Sequence, residues 1–156
     1  MLLKPDPLIM NSCIEIRWCK EEEINWINEW YAQIDFKSSS FDTDRVAIAR
    51  CDGKSAGLGR LCLIDRLNFE LGGMYVDPDF RGFGIARQIV KFLIKNCPAG
   101  TNIYCLPFAH LIDFYESEGF REISAKSISN VPKDVLEKHV WCNQTYPHEV
   151  LLLKYV

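Results

Sequence analysis

The residues best suited to chemistry are two glycines and two arginines that follow an apolar run. Arg81, Gly82, Gly84 and Arg87 lie in or next to the turn after Asp77-Pro78. A helix that begins directly after such a turn presents N–H groups at the positive end of its dipole. Glycine lets an anion approach the main chain closely, and arginine adds charge-assisted hydrogen bonds. The pattern therefore predicts an anion site whose usual ligand is a phosphate group.

Two predicted elements position this turn. Residues 69–76 form a predicted strand that ends at the turn, and residues 85–96 form a predicted helix with one apolar face. The pair Gly72-Gly73 interrupts the strand and indicates a bulge or the close approach of a ligand or another chain. The apolar run 101–106 predicts a second strand, so the whole segment is a parallel strand–helix–strand unit.

The rest of the pattern extends this unit into a mixed α/β domain. The remaining predicted strands are 12–18, 45–51, 56–64, 120–124 and 149–156, and the remaining predicted helices are 20–36, 110–118 and a short one near 131–139. Asp52-Gly53 predicts a tight turn between antiparallel strands. No repeat, low-complexity tract or linker interrupts the 156 residues, so we expect a single domain over residues 1–156.

Composition disfavours several classes of protein. The net charge of −3 is unlike the basic balance of nucleic-acid-binding proteins, and no apolar run is long enough to span a bilayer. The first residues lack the layout of a signal peptide, so we expect a cytoplasmic protein with no membrane partner. The cysteine count of seven is odd and no Cys-x-x-Cys pair occurs, which predicts neither a disulfide framework nor a metal site.

Two other phosphate-binding motifs do not fit the turn. A dinucleotide fingerprint needs glycine or alanine three positions after Gly84, where this chain has Arg87. A P-loop needs Gly-Lys-Ser/Thr, which the chain lacks. The anion site is therefore of another kind.

Residues 70–120 resemble the GNAT superfamily of acetyl-CoA-dependent N-acetyltransferases. The acetyl-CoA motif of that family is Arg or Gln, two residues of any type, Gly, any residue, then Gly or Ala, and here it is Arg81-Gly-Phe-Gly-Ile-Ala86. Residues 69–78 and 114–120 are similar to the family's central strand and its helix-to-strand signature. The resemblance implies a twisted, mostly antiparallel sheet of about seven strands, with a parallel strand–helix–strand unit at the cofactor site and helices on both faces.

The resemblance implies acetyl-CoA as the co-substrate and no metal. The pyrophosphate would lie on the backbone of the turn, and the pantetheine arm would pair with the central strand. The implied cofactor-binding residues are Met74, Tyr75, Val76, Arg81, Gly82, Phe83, Gly84, Ile85, Ala86 and Arg87.

The resemblance also implies two catalytic residues. Glu70 occupies the position of the general base that takes a proton from the amine, and Tyr115 that of the general acid that protonates the CoA thiolate. The simpler alternatives are an edge or surface glutamate, and a tyrosine that only packs its helix against the sheet with its hydroxyl at the surface. One departure is Phe108, because many members carry asparagine there to hold the cofactor's arm. His110 nearby is either an auxiliary base or an ordinary polar residue at a helix start.

The acceptor is less defined. In the family its pocket forms from segments that correspond to residues 26–44 and 126–148, where aromatic and acidic side chains would suit a cationic amine. The same residues also suit core packing and loop structure. We expect an amine of a small molecule or peptide. A non-catalytic acyl-CoA sensor, a larger acyl group and a hydroxyl acceptor stay open. The apolar last strand would suit a sheet edge, where it would allow a homodimer.

Overall fold

The computed structural model describes residues 14–156, which form a seven-stranded mixed sheet and four α-helices. The strands are β1 Ile14–Trp18, β2 Asp44–Cys51, β3 Lys54–Asp65, β4 Asn68–Val76, β5 Asn102–Cys105, β6 Phe120–Glu122 and β7 Leu153–Tyr155. The helices are α1 Ile24–Gln33, α2 Ile85–Lys95, α3 Ile112–Ser117 and α4 Lys133–Thr145. The strand order is β1-β2-β3-β4-β5-β7-β6, and β4 and β5 are parallel. The predicted fold class is confirmed.

The first of two compact units takes in the chain up to Arg60 and residues 73–96. One face of α1 packs on the sheet, because Ile27 and Tyr31 share a buried cluster with Leu58 of β3. Gly59 faces the other way, and a Cβ built on it would lie 2.5 Å from Ile89 of α2. Successive residues of a strand point to opposite faces, so α1 and α2 cover opposite faces of β3. Within this unit, the expectation of helices on both faces is confirmed.

The second unit consists of residues 61–72 and 97–156. The first half of β4 pairs in parallel with β5, with Glu70 opposite Tyr104. Tyr104 also belongs to a buried cluster with Val135 of α4 and with Leu152. Helix α4 is longer than the sequence predicts, and its buried residues anchor it over this part of the sheet.

The last strand differs from its prediction in length and place. Residues 149–156 are predicted as one strand at a sheet edge, but β7 covers only Leu153–Tyr155. It pairs with β5 through Cys105–Leu153 and with β6 through Phe120–Tyr155, so the edge prediction is wrong. An apolar run suits an interior strand as well as an edge, and the place of β7 is decided by its pairing with strands on both sides.

Other predicted elements lie within a few residues of the observed ones. The helix over 20–36 is a 3₁₀ turn, Glu21–Glu23, followed by α1, and that over 110–118 is likewise a 3₁₀ turn followed by α3. Asp52 and Gly53 have φ angles of 49° and 76°, the left-handed pair that a tight hairpin turn requires. Positions 12 and 13 of the first predicted strand lie outside the described residues. A single domain over residues 1–156 stays a prediction.

Candidate active site

The turn before α2 is built around two left-handed glycines. Gly82 has φ 86° and Gly84 has φ 76°, a region that side chains rarely occupy. A Cβ built on either glycine would meet nothing within 4 Å, so the turn backbone faces open space. Upstream, the Asp77 side chain accepts a hydrogen bond of 2.9 Å from the backbone N–H of Asp79 and starts a 3₁₀ turn there.

The first turn of α2 provides the donors that the sequence analysis predicts. Ile85 and Ala86 lie in that first turn, where N–H groups have no carbonyl partner within the helix. Phe83 and Ile85 are buried and hold the turn against its unit, while Arg81 and Arg87 are exposed. A turn with backbone donors and two exposed guanidinium groups fits a diphosphate.

The second half of β4 leads into this turn. Met74, Tyr75 and Val76 are half-buried, and the Val76 carbonyl accepts a hydrogen bond of 2.9 Å from Nε of Arg81. Gly73 has φ 58°, the left-handed conformation that one class of β-bulge requires. This conformation supports the predicted bulge at the glycine pair.

Glu70 is buried and paired with a lysine. Its residue is 8% exposed, and Nζ of Lys138 donates to both carboxylate oxygens at 2.8 and 2.7 Å. β4 has a strand on each side in the sheet and Glu70 is buried, so Glu70 is neither an edge nor a surface glutamate. A glutamate in an apolar strand is costly unless it is paired, and the ammonium of Lys138 provides the pair.

Lys138 was not found by sequence reasoning. It lies 68 residues from Glu70 on α4, and nothing in its own neighbourhood marks it. Burial alone would lower the pKa of Lys138, but the adjacent Glu70 carboxylate outweighs burial and the pKa of Lys138 is raised. The lysine is therefore held as an ammonium against Glu70.

The Tyr115 hydroxyl is inside the protein and not at its surface. The residue is 5% exposed, its ring packs edge-on against Phe114 and Phe120, and its hydroxyl donates to the thiol of Cys105. Burial, followed by Cys105, raises the pKa of Tyr115 well above its usual value. Burial likewise raises the pKa of the Cys105 thiol. Tyr115 thus keeps its proton at neutral pH, which a proton donor must do.

Phe108, at the position where the resemblance leads one to expect asparagine, lies in a cluster of aromatic rings. Its ring stacks on His110 at 6.0 Å between centroids and meets Tyr146 and His148 edge-on at 5.6 and 6.1 Å. A phenyl ring cannot make the hydrogen bonds that asparagine makes at this position. His110 is exposed, and its proposed part as an auxiliary base stays a prediction.

The candidate acceptor segments contain both core and exposed aromatic residues. Tyr31 is fully buried, and the guanidinium of Arg60 lies 4.5 Å from its ring. Arg60 also donates to the Lys37 carbonyl and to the Ser39 hydroxyl, at 2.8 and 2.6 Å. Phe36, Phe41, Trp141 and Tyr146 are exposed. Tyr31 is therefore a core residue, whereas the exposed rings are available to a ligand.

The second unit also contains a surface cavity of about 350 Å³. Its lining includes His139 and Asn143 from α4 and Val150 to Leu152 from the chain before β7. Neither Glu70 nor Tyr115 lines it. Since both α4 residues fall within the 126–148 segment, this cavity is a candidate for part of an acceptor site.

A family model for the acetyltransferase (GNAT) domain matches residues 42–122, just over half of the chain. The chain therefore belongs to the GNAT acetyltransferase family, and the resemblance is confirmed. No curated protein matches the sequence. Among the described residues, 14–156, no helix is long and apolar enough to cross a membrane. No group of three or more His, Cys, Asp or Glu in that range is arranged to hold a metal ion.

Solved structures share the fold at low sequence identity. N-acetylglutamate synthase from Neisseria gonorrhoeae, solved with coenzyme A and N-acetyl-glutamate, matches with a TM-score of 0.65 and 14% identity over 92% of this chain. This chain covers only 35% of that synthase. Rv2747 from Mycobacterium tuberculosis, in complex with CoA and NLQ, has a TM-score of 0.68 and 17% identity, covering 91% of this chain and 98% of the other.

A plant structure extends the comparison to a peptide-linked ligand. Arabidopsis thaliana Naa50, in complex with the bisubstrate analogue CoA-Ac-MVNAL, has a TM-score of 0.67 and 12% identity, covering 92% of this chain and 99% of the other. At these identities the likeness establishes the fold and does not identify an acceptor for this chain.

Proposed function

We propose that this protein transfers an acetyl group from acetyl-CoA to an amine of a small molecule or peptide. The observation that carries the proposal is the turn at Gly82 and Gly84, which is left-handed, open above its backbone and placed at the N-terminus of α2. Because the chain is a member of the GNAT acetyltransferase family, such a turn would hold the phosphates of an acyl-CoA donor. Residues 81–87 would hold the pyrophosphate, and residues 74–76 the pantetheine arm.

Glu70 is the proposed general base. An amine must lose a proton before or as it attacks a thioester, and the Glu70 carboxylate would accept that proton directly or through water. The proposal is supported by the burial of Glu70 on a strand that is paired on both sides, since a fixed position preserves the geometry of proton transfer. In catalysis Lys138 must move away from Glu70 or share the carboxylate with the acceptor.

Tyr115 is the proposed general acid. Collapse of the tetrahedral intermediate expels a thiolate, which a neutral hydroxyl can protonate. The raised pKa of Tyr115, caused first by burial, supports this part because the hydroxyl stays protonated across the neutral range. Its present partner is the Cys105 thiol, a weak acceptor that a developing thiolate can replace.

Two types of acceptor amine are compatible with the fold. The gonococcal synthase was solved with N-acetyl-glutamate, and the plant Naa50 with an acetylated peptide linked to CoA. The exposed rings Trp141 and Tyr146 suit either an aromatic side chain or a cationic amine. A panel that contains amino acids, polyamines and peptide N-termini would separate these acceptors.

A non-catalytic acyl-CoA-binding module is the second candidate. The observation that favours it is the ion pair of Glu70 with Lys138, which occupies both oxygens of the candidate base. Such a module would bind acetyl-CoA and release no CoA thiol with any amine in the panel. Binding with thiol release would establish the transferase.

The site assignment is tested by Gly84→Glu. A carboxylate placed over the turn repels phosphate and fills its space, so we expect the affinity for acetyl-CoA measured by calorimetry to fall at least about tenfold. Gly100→Glu is the matched control, because Gly100 has φ 78° and the same open surroundings but precedes no helix. Equal affinities of the two variants would contradict the assignment of the turn.

A further inference from the structure

The side-chain amine of Lys138 contacts Glu70, the candidate base. Nζ of Lys138 is 2.8 and 2.7 Å from the two carboxylate oxygens of Glu70. A general base must lie about 2.6–3.2 Å from the atom whose proton it takes. If Glu70 is the base of the proposed acetyl transfer, Lys138 therefore occupies a position from which an acceptor amine would react.

We propose that Lys138 is itself an acetyl acceptor, so that the protein acetylates its own lysine when acetyl-CoA is bound. The inference rests on the proposed function, because it uses the same base and the same donor. It adds a modification site on α4 that neither the family nor the fold assigns.

The reaction balances as an ordinary acetyl transfer. The ammonium of Lys138 gives one proton to Glu70, and Nζ attacks the thioester carbonyl carbon to form an N–C bond. The C–S bond then breaks and CoA leaves as a thiol, with its proton supplied by Tyr115. Glu70 passes the first proton to solvent, then takes the second proton from the nitrogen and releases it in the same way, while Tyr115 recovers one proton from solvent. The net products are N-acetyl-lysine, CoA and one released proton.

The side chain of Lys138 is partly exposed, as an acetyl acceptor must be. The side chain of Lys138 is 46% exposed although its tip contacts a carboxylate that is only 11% exposed. The buried neighbours Val135 and Cys142 anchor α4 on both sides of it, so the lysine has freedom while the helix does not. The side chain of Lys138 is therefore partly open to solvent on a helix that its buried residues anchor.

The same helix provides a matched control lysine. Lys133 is paired with Glu137 at 3.4 Å and its side chain is 85% exposed. Spontaneous acetylation by a thioester requires an accessible, neutral amine, and the carboxylate of Glu70 raises the pKa of Lys138 against the opposing effect of burial. Uncatalysed chemistry therefore favours Lys133, and only a directed reaction would favour Lys138.

The experiment is a time course with acetyl-CoA, read by mass spectrometry of the peptides that contain each lysine. We expect a gain of one acetyl group at Lys138 at least about tenfold faster than at Lys133. Lys138→Arg keeps the positive charge beside Glu70 and should lose the label at this peptide while leaving the Lys133 rate unchanged. Equal labelling of the two lysines, or faster labelling of Lys133, would overturn the proposal.

Two variants separate catalysis from exposure. Glu70→Gln removes the base and also breaks the ion pair that holds Lys138. If exposure alone controls labelling, Lys138 should then be acetylated faster. If Glu70 is the base, the acetylation rate of Lys138 should fall to that of Lys133. Gly84→Glu leaves Glu70 and Lys138 intact and should abolish the selectivity by weakening donor binding. Circular dichroism of each variant checks that it is folded, and Gly84→Glu keeps the test valid if Glu70→Gln does not fold.

Failure of the inference and failure of the proposed function give different results. If amines of the panel are acetylated while Lys138 stays unlabelled, the inference is wrong and the transferase stands. If acetyl-CoA binds and neither the panel nor Lys138 is acetylated, both are wrong and the acyl-CoA-binding module remains.

Discussion

The hydroxyl of Tyr115 can be removed with little disturbance to packing. Tyr115→Phe keeps the ring contacts with Phe114 and Phe120 and loses only the hydrogen bond to Cys105. We expect affinity for acetyl-CoA to be unchanged and kcat to fall about 10²-fold, the lower range for loss of a general acid. Steady-state thiol release measures kcat, and Tyr155→Phe, at an exposed tyrosine, is the control. An unaffected kcat would remove Tyr115 from the mechanism.

Gly73 is a second residue whose role depends on its immediate contacts. A Cβ on Gly73 would lie 2.7 Å from Nε of Arg60 and 2.7 Å from the Tyr31 hydroxyl, which donates to the Gly73 carbonyl at 2.8 Å. The glycine therefore allows a buried arginine and a buried tyrosine to meet the strand backbone. The pair of glycines that the sequence analysis connects with the cofactor thus also serves the core.

We expect Gly73→Ala to lower the free energy of unfolding by about 2–4 kcal/mol, from steric overlap and the left-handed backbone together. Gly100→Ala has the same left-handed strain with nothing within 4 Å of the new methyl group, and should cost only about 1 kcal/mol. Urea denaturation of both variants measures the difference. Equal losses of unfolding free energy in the two variants would show that Arg60 and Tyr31 move aside for the new methyl group at little energetic cost.

At the scale of elements, an ion pair connects β1 to the start of α1. The guanidinium of Arg17 donates to both oxygens of Glu23 at 2.7 and 2.9 Å, and Glu23 also accepts from the Lys20 N–H at 2.8 Å. These hydrogen bonds lower the pKa of Glu23 from 4.5 to about 2, and those from Arg17 contribute most. Burial of the carboxylate acts in the opposite direction. Because the folded-state pKa is the lower one, the pair stabilises the fold fully above pH 4.5 and loses its effect as the pH falls through about 2.

We expect Glu23→Gln to cost about 1 kcal/mol of unfolding free energy at pH 7, since the pair is partly solvated. The difference from the unmodified protein should shrink below pH 4.5 and vanish near pH 2. Denaturant titrations at pH 7, 4 and 2.5 test this, with the exposed Glu22→Gln as control. A cost that does not change with pH would mean that packing, and not charge, carries the contribution of Glu23.

At the scale of the whole molecule, β7 joins two strands that are consecutive in the chain but not paired with each other. It lies between β5 and β6 and pairs with both, so its removal leaves each without a neighbour on that side. Residues 150–153 are also buried. A short strand at the end of the chain thus holds together much of the unit formed by residues 61–72 and 97–156.

Deletion of residues 153–156 should lower the unfolding free energy by more than about 4 kcal/mol, because it removes a buried leucine and two strand pairings. Deletion of Val156 alone, which is 76% exposed, should cost less than about 1 kcal/mol. Thermal unfolding and amide exchange of residues 102–105 and 120–122 provide the measurement. Native stability after the four-residue deletion would contradict an interior position for β7.

Element types and the order of elements were predictable because they depend on local pattern. Period-2 alternation and apolar runs locate all seven strands, and the turn chemistry of Asp52-Gly53 is local to two residues. Strand ends and the length of α4 were less predictable, since packing decides how far an element continues. The position of β7 was not predictable from its apolar run, which fits both an edge and an interior strand.

The same division holds for the site. By itself the sequence determined the turn at residues 81–87, because glycine placement and a helix start are properties of neighbouring residues, and it singled out Glu70 and Tyr115 through the family pattern. Only the tertiary structure decided that Glu70 pairs with Lys138 across 68 residues and that Tyr115 bonds to Cys105. Those partners meet through the packing of α4 and α3 on the sheet, and contacts between distant segments leave no periodic signal in the chain.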